Sequence, residues 1–214
     1  ARVRAAGALL FAVGFAGAKA ADLASLASTP VATYAIRTPD LSTLQTYFQT
    51  DSRFCSLVAH APPALPSPSS SPLAPPPSPP MCGAYIELAL VLDVSGSMRG
   101  VMDGVKAFVH SIVDQFVLSD TMTRVSITSF SSDAAVEIGL SKNRSAVGAA
   151  IDSLVAGGST YIDEGIQMGS TTLDPTVVRA GAQRVMMVLT DGEQTGSSSS
   201  LLAEAARVKA AGTL

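Results

Sequence analysis

The chain contains no tryptophan, two cysteines and two histidines, and aromatic residues make up only 5% of its 214 positions. Soft metal ligands are therefore scarce, which excludes zinc or copper chemistry built on His and Cys at the motifs described below. Positive charge is short as well: Lys and Arg number 14 against 17 Asp and Glu, for a formal net charge of −3. No basic cluster occurs, and with so few aromatics the chain lacks the footprint of a nucleic-acid binder. Proline is nearly absent outside one stretch. Residues 61–80, APPALPSPSSSPLAPPPSPP, hold ten of the 13 prolines and cannot form a helix or an inner strand, so 61–82 reads as an extended linker.

Apolar surface, by contrast, is plentiful: 47% of the residues are hydrophobic, enough for one good core, and one main domain is the expectation. The chain opens at Ala1 instead of Met and stops at Leu214 soon after a helical pattern, so it reads as a piece of a longer protein. Residues 1–20 have the order of a signal peptide: Arg2 and Arg4, an apolar run over 5–18, then the small-x-small triplet Ala18-Lys19-Ala20. Secretion or a cell-surface location is the expectation, with an uncleaved membrane anchor or an organelle transit peptide as alternatives. On this reading the segment stays outside the folded domain. Residues 21–60 offer one short helix, opening at Asp40 with Leu41, Leu44 and Phe48 on one face, and no function is assigned to them. Cys55 and Cys82 flank the linker, either as a disulfide in an oxidising compartment or as two unpaired thiols.

From residue 83 onward strands and helices alternate. Residues 85–92 are apolar save for Glu87, the pattern of a strand covered on both faces. Val101, Val105, Phe108, Ile112 and Phe116 recur at helical spacing. Residues 124–130 and 134–138 read as strands joined by a turn around Asp133, the second antiparallel and at the edge. Val147, Ala150, Ile151 and Leu154 mark another helical face. A Gly-Gly-Ser-Thr loop, a helix from near Ile162, a buried strand over 184–189 and a helix from about Leu201 complete the pattern. Such alternation predicts an α/β fold, a doubly wound and mostly parallel sheet with helices on both faces.

In such sheets the ligand site lies beyond the carboxyl ends of the strands. Asp93 closes the first buried strand in VLDVSGSM, and Asp191 closes a later one in VLTDGE, so both carboxylates emerge at one edge. Ser95 and Ser97 alternate with Val94 and Gly96, which lets both hydroxyls point to one spot while Gly96 frees the backbone between them. Thr160, in the loop AGGST, enters the same crevice. Two carboxylates with three hydroxyls form a hard-oxygen set, suited to Mg²⁺, Mn²⁺ or Ca²⁺. Because the hydroxyls are neutral, a bound cation stays electrophilic, and a carboxylate from a partner is its natural last ligand.

These residues resemble the metal-ion-dependent adhesion site of von Willebrand factor type A domains. The match is Asp93-x-Ser95-x-Ser97, Thr160 and Asp191 in the family's order, within VLDVSGSM, GGSTYIDEGI and MMVLTDGE, and it covers residues 85–214. The resemblance implies direct metal contact by Ser95 and Ser97, and direct or water-mediated contact by Thr160, Asp93 and Asp191. It implies a protein, matrix or cell-wall ligand that presents a carboxylate. It also implies a six-stranded sheet, of which only four strands are countable after residue 83, as though the last third of the domain were missing. The strand ending at Asp191 would then be an exposed apolar edge, and the chain poorly soluble.

Two other roles draw on the same motifs. Type A domains also serve intracellular metal-chelatase assemblies, where a proline-rich linker joins them to an ATPase module, yet no Gly-x-x-x-x-Gly-Lys-Ser/Thr loop occurs here. A serine hydrolase would use Ser95 or Ser97 with a His and an Asp, but Gly-x-Ser-x-Gly is not met around Ser97, and neither His60 nor His110 has an evident partner. A non-enzymatic role is expected. Asn143-Arg144-Ser145 is a glycosylation acceptor.

Overall fold

In the computed structural model, residues 8–49, 53–58, 82–192, 194–195 and 197–210 are described. Arg2, Arg4, His60 and the proline-rich stretch 61–80 lie outside them. Four strands stand where the apolar pattern predicts: β3 (Ile86–Asp93), β4 (Arg124–Phe130), β5 (Ala134–Ser141) and β6 (Gln183–Thr190). β3 is buried along all of its eight residues, which is why its sequence shows no alternation. β5 is antiparallel to β4 and lies at the sheet edge, half exposed, so it carries alternating polar side chains. Helices α5 (Met102–Asp114), α6 (Arg144–Asp152), α7 (Ile162–Thr171) and α8 (Ser198–Ala210) connect them. Exposed Asn143 caps α6, its Oδ1 accepting from the Ala146 amide at 3.2 Å.

The sheet nevertheless has six strands, in the order β2-β1-β6-β3-β4-β5. The additional two come from the start of the chain: β1 (Leu9–Gly14) and β2 (Ala35–Arg37). β1 runs parallel to β6 in continuous register from Leu9 opposite Val185 to Gly14 opposite Thr190. This corrects two expectations. The apolar run read as part of a signal peptide is a strand inside the domain, apolar because Leu10, Phe11, Ala12 and Val13 are all fully buried between two helix layers. The strand ending at Asp191 is not an edge, because β1 hydrogen-bonds along its outer side, so the solubility penalty predicted for it falls away. Among the described residues, 8–49 and 53–58 share the sheet and core with those from 82 onward.

Four helices cover this added part: α1 (Ala20–Leu26), α2 (Val31–Tyr34), α3 (Leu41–Gln49) and α4 (Arg53–Val58). The helix predicted at Asp40 is α3, with Asp40 Oδ1 accepting from the Thr43 amide at 2.7 Å, and with Leu44 and Phe48 buried. On one face of the sheet Phe11 meets Phe54, Phe54 meets Phe48 and Phe116, and Phe48 meets Phe108 of α5, all edge to face with centroids 5.1–5.7 Å apart. On the other, Leu10, Ala12, Leu23 and Leu26 join Ile166 of α7 and Leu201 of α8. Cys55 and Cys82 are disulfide-bonded, with Cα atoms 5.6 Å apart.

At the amino end of β3, far along the strand from Asp93, the one polar interruption of its apolar run finds partners. Glu87 is completely buried and accepts from Arg124 Nε at 2.9 Å, from the Arg179 amide at 3.0 Å and from Arg179 Nε at 2.8 Å. Arg179 also donates to the carbonyls of Ile86 and Met122, at 2.9 and 2.7 Å, and lies over the Tyr85 ring. Burial alone would raise the Glu87 pKa; the two guanidinium groups outweigh it and hold the carboxyl below its ordinary range.

Candidate metal centre

Asp93 ends β3, buried, with both carboxylate oxygens engaged. Its Oδ1 accepts from the Ser95 amide at 2.8 Å, and its Oδ2 accepts from the Thr190 hydroxyl at 2.6 Å. Burial pushes the carboxyl above its ordinary range, and the charge of Asp191 adds to the rise, while hydrogen bonds from Ser95 and Thr190 oppose it. The chain then leaves the sheet into a 3₁₀ turn, Gly96–Gly100, preceded by Ser95 in extended conformation. Ser95 Oγ and Ser97 Oγ lie 3.1 Å apart, and Ser97 Oγ donates to Asp191 Oδ1 at 2.7 Å. Asp93 is thus joined to Ser95 through the backbone amide, and the Ser95 hydroxyl to Asp191 through that of Ser97, a run from the end of β3 to the end of β6 that is buried at Asp93 and Ser95 and open to solvent at Ser97.

The loop bearing Thr160 is fastened to this turn from the other side. The Gly157 amide donates to the Val94 carbonyl at 2.6 Å, and the Gly96 amide to the Gly158 carbonyl at 3.0 Å. A Cβ on Gly96 would stand 3.2 Å from that carbonyl oxygen, so glycine there permits a close approach of two loops. Gly158 has φ +83°, and a Cβ on it would stand 2.8 Å from Ser132 Oγ. Gly158→Ala is therefore expected to cost about 1–3 kcal/mol through backbone strain, read as a lower denaturant midpoint with an unchanged slope. Thr160 itself is 9% exposed, and its Oγ1 lies 3.8 Å from where a Cβ on Gly192 would sit, which places it beside the residue that follows Asp191.

The structure thus brings Asp93, Ser95, Ser97, Thr160 and Asp191 to one end of the sheet. It also adds residues that the sequence pattern did not single out. Thr190 orients Asp93, and its only signal was its place before Asp191. Thr195 and Gln194 hold the Thr160 loop: the Thr195 amide donates to the Thr160 carbonyl at 2.7 Å, and Gln194 Oε1 accepts from the Ile162 amide at 2.7 Å. Behind Asp191, a Cβ on Gly17 would lie 2.9 Å from the Asp191 carbonyl oxygen, so the loop after β1 abuts the site. His110 pairs with Asp152 at 2.8 Å, between α5 and α6.

The donor set suits a hard divalent cation. Two neighbouring carboxylates, both buried, repel each other, and the hydroxyls beside them offer neutral oxygens. Among the described residues no group of three or more His, Cys, Asp or Glu converges, so any cation here would rely on those hydroxyls.

The model of the von Willebrand factor type A domain family matches residues 87–214. Among solved structures, proximal thread matrix protein 1 from the mussel byssus is 22% identical over 92% of this chain and 48% of its own, with a TM-score of 0.50. That span takes in residues ahead of the linker. A second structure of the same mussel protein, with a zinc-occupied metal-ion-dependent adhesion motif, is 26% identical over 58% of this chain and 34% of its own, at a TM-score of 0.49. A von Willebrand factor type A protein from Catenulispora acidiphila is 21% identical over 60% of this chain and 32% of its own, at 0.51. The chain spans between about a third and a half of these proteins.

Proposed function

The chain belongs to the von Willebrand factor type A domain family, and from that premise we propose that it is a divalent-cation-dependent binding module whose partner supplies a carboxylate. Asp93, Ser95, Ser97, Thr160 and Asp191 would hold Mg²⁺, or Mn²⁺ or Ca²⁺ in its place. The bound cation would supply an electrophilic position for an acidic side chain of a protein, matrix or cell-wall ligand. The observation that carries this reading is the convergence of Ser95 Oγ, Ser97 Oγ and the Asp191 carboxylate, in hydrogen-bond contact with one another beside Asp93, at the strand ends and open to solvent at Ser97. Thr190 keeps Asp93 in place, and the two glycine contacts hold the loops together.

The same contacts favour binding over hydrolysis. The Ser95 and Ser97 hydroxyls engage each other and a carboxylate, while His110 is committed to Asp152. A secreted or cell-surface location, and not an intracellular assembly, is supported by the Cys55–Cys82 bridge, since such bonds persist in oxidising compartments. Exposed Asn143 is proposed as a glycosylation acceptor there: modification at Nδ2 leaves Oδ1 able to cap α6.

Calorimetric titration with Mg²⁺ and Mn²⁺ tests the proposal. Asp93→Ala and Ser97→Ala are expected to abolish measurable binding, and Thr190→Val to weaken it about 10–100-fold, as removing an orienting partner does. Equal affinity in the parent and Asp93→Ala would end the metal reading. Retained metal binding with no chelator-sensitive capture of acidic peptides would end the ligand reading alone.

A further inference from the structure

Arg99 stands at the rim of the candidate metal centre, in the same 3₁₀ turn as Ser97, and is exposed. Its Nε donates to the Ala156 carbonyl at 3.4 Å, and its Nη2 lies 3.6 Å from where a Cβ on Gly157 would sit. The guanidinium therefore rests along the seam at which the Gly96 turn and the Thr160 loop are fastened together. One long hydrogen bond leaves most of its five donors open to solvent or to a ligand. Arg124, Arg144, Arg179 and Arg207 each pair with a carboxylate, whereas among the described residues no carboxylate pairs with Arg99.

We propose that Arg99 selects the ligand: the partner is an acidic protein segment with two neighbouring carboxylates, one completing the coordination of the cation and the other received by Arg99. The inference rests on the cation-dependent reading above and adds which acidic ligands the site prefers. A divalent cation would offset Asp93 and Asp191, leaving the Arg99 guanidinium as positive charge beside it. Its planar fork matches a carboxylate through two parallel hydrogen bonds, which a lone acid at the cation leaves unused. Charge also gives the pair a direction. On the far side of the Thr160 loop, where the Ser159 amide donates to Ser132 Oγ at 3.0 Å, the turn carries exposed Asp133, which disfavours a second acid there. Val155, one residue ahead of Ala156, is 81% exposed and adds an aliphatic contact next to Arg99. A peptide side chain meets that contact with apolar surface that a polyuronate, hydroxylated on each ring, largely lacks.

Peptide binding to the full chain tests this. In Mg²⁺, peptides with one Asp in a Gly-Ser background are compared with peptides bearing a second Asp one to three residues away on either side, using the parent and Arg99→Gln. At the best spacing the parent should bind the two-Asp peptide about fivefold more tightly, beyond the roughly twofold that a second acid gives by statistics, the upper range for a solvent-exposed ion pair. The gain should shrink as salt is raised. Arg99→Gln should lose it while still binding the one-Asp peptide. A metal-free readout accompanies the titration: in chelator, phenylglyoxal, which condenses with free guanidinium groups, should label Arg99 ahead of Arg144 and Arg207, which are partly exposed but carboxylate-paired. Labelling of Arg99 no faster than of those two, or an equal two-Asp gain in parent and variant, overturns selection by Arg99 and leaves the cation reading standing. Arg99-dependent binding of oligogalacturonate tighter than of any peptide overturns the protein partner in favour of an acidic polysaccharide. If no peptide binds the parent in a chelator-sensitive way, the carboxylate-ligand reading fails and the role of Arg99 fails with it.

Discussion

Replacing Phe11 with alanine is expected to cost about 3–5 kcal/mol of unfolding free energy, and Leu10→Ala about 2–5 kcal/mol. Both residues are fully buried, on opposite faces of β1. Phe11 meets Tyr34 and Phe54 edge to face, with centroids 4.9 and 5.1 Å away. Its removal opens a cavity between β1 and the rings of Tyr34 and Phe54, so the loss combines transfer energy with contacts that nothing replaces. The same apolar run in a segment outside the domain would make both substitutions silent. Denaturant unfolding decides: shifts below about 0.5 kcal/mol in both variants, the size of an ordinary surface change, would mean that β1 is not part of the fold.

Glu87→Ala is expected to destabilise the domain by about 3–5 kcal/mol, because it strands two guanidinium groups that converge on a fully buried carboxylate. The contribution depends on pH with a definite sign. The folded-state pKa is depressed by Arg124 and Arg179, so protons bind the unfolded chain first as pH falls. The stabilisation is therefore complete above the unfolded value of about 4.3 and is lost as pH drops below it toward the folded value. Glu87→Gln should be less stable than the parent at pH 7 and approach it in acid. A gap that stays constant from pH 7 down to the acid transition would show that the carboxylate's charge is not what the two arginines hold.

The arrangement after residue 83 was legible because its signals are local. A parallel strand covered on both faces is apolar throughout, a helix repeats every three or four residues, and β5 announced itself as an edge by mixing polar and apolar side chains. Glu87 stood out as an anomaly inside such a strand, but its partners come from β4 and from the loop before β6, at separations that no local pattern spans. Thr190 carries no signal of its own. A threonine at a strand end is commonplace, and only the pairing of β6 with β3 aims its hydroxyl at Asp93.

Residues 9–14 show where local reading stops. A leader and an inner strand are both short apolar runs, and the arginines and alanines around this one satisfied the first description. The difference lies in whether a hydrogen-bonding edge awaits the run, and that edge is more than 160 residues away, opposite Val185 to Thr190. By itself the amino-acid order determined the α/β class and the strand ends at which Asp93 and Asp191 stand, since both follow from side-chain chemistry and short-range periodicity. Tertiary structure alone decided which strand closes the sheet, what neutralises Glu87 and what steadies Asp93. Those outcomes are pairings between distant segments, and a backbone donor or a buried charge takes its partner from whatever the fold brings beside it.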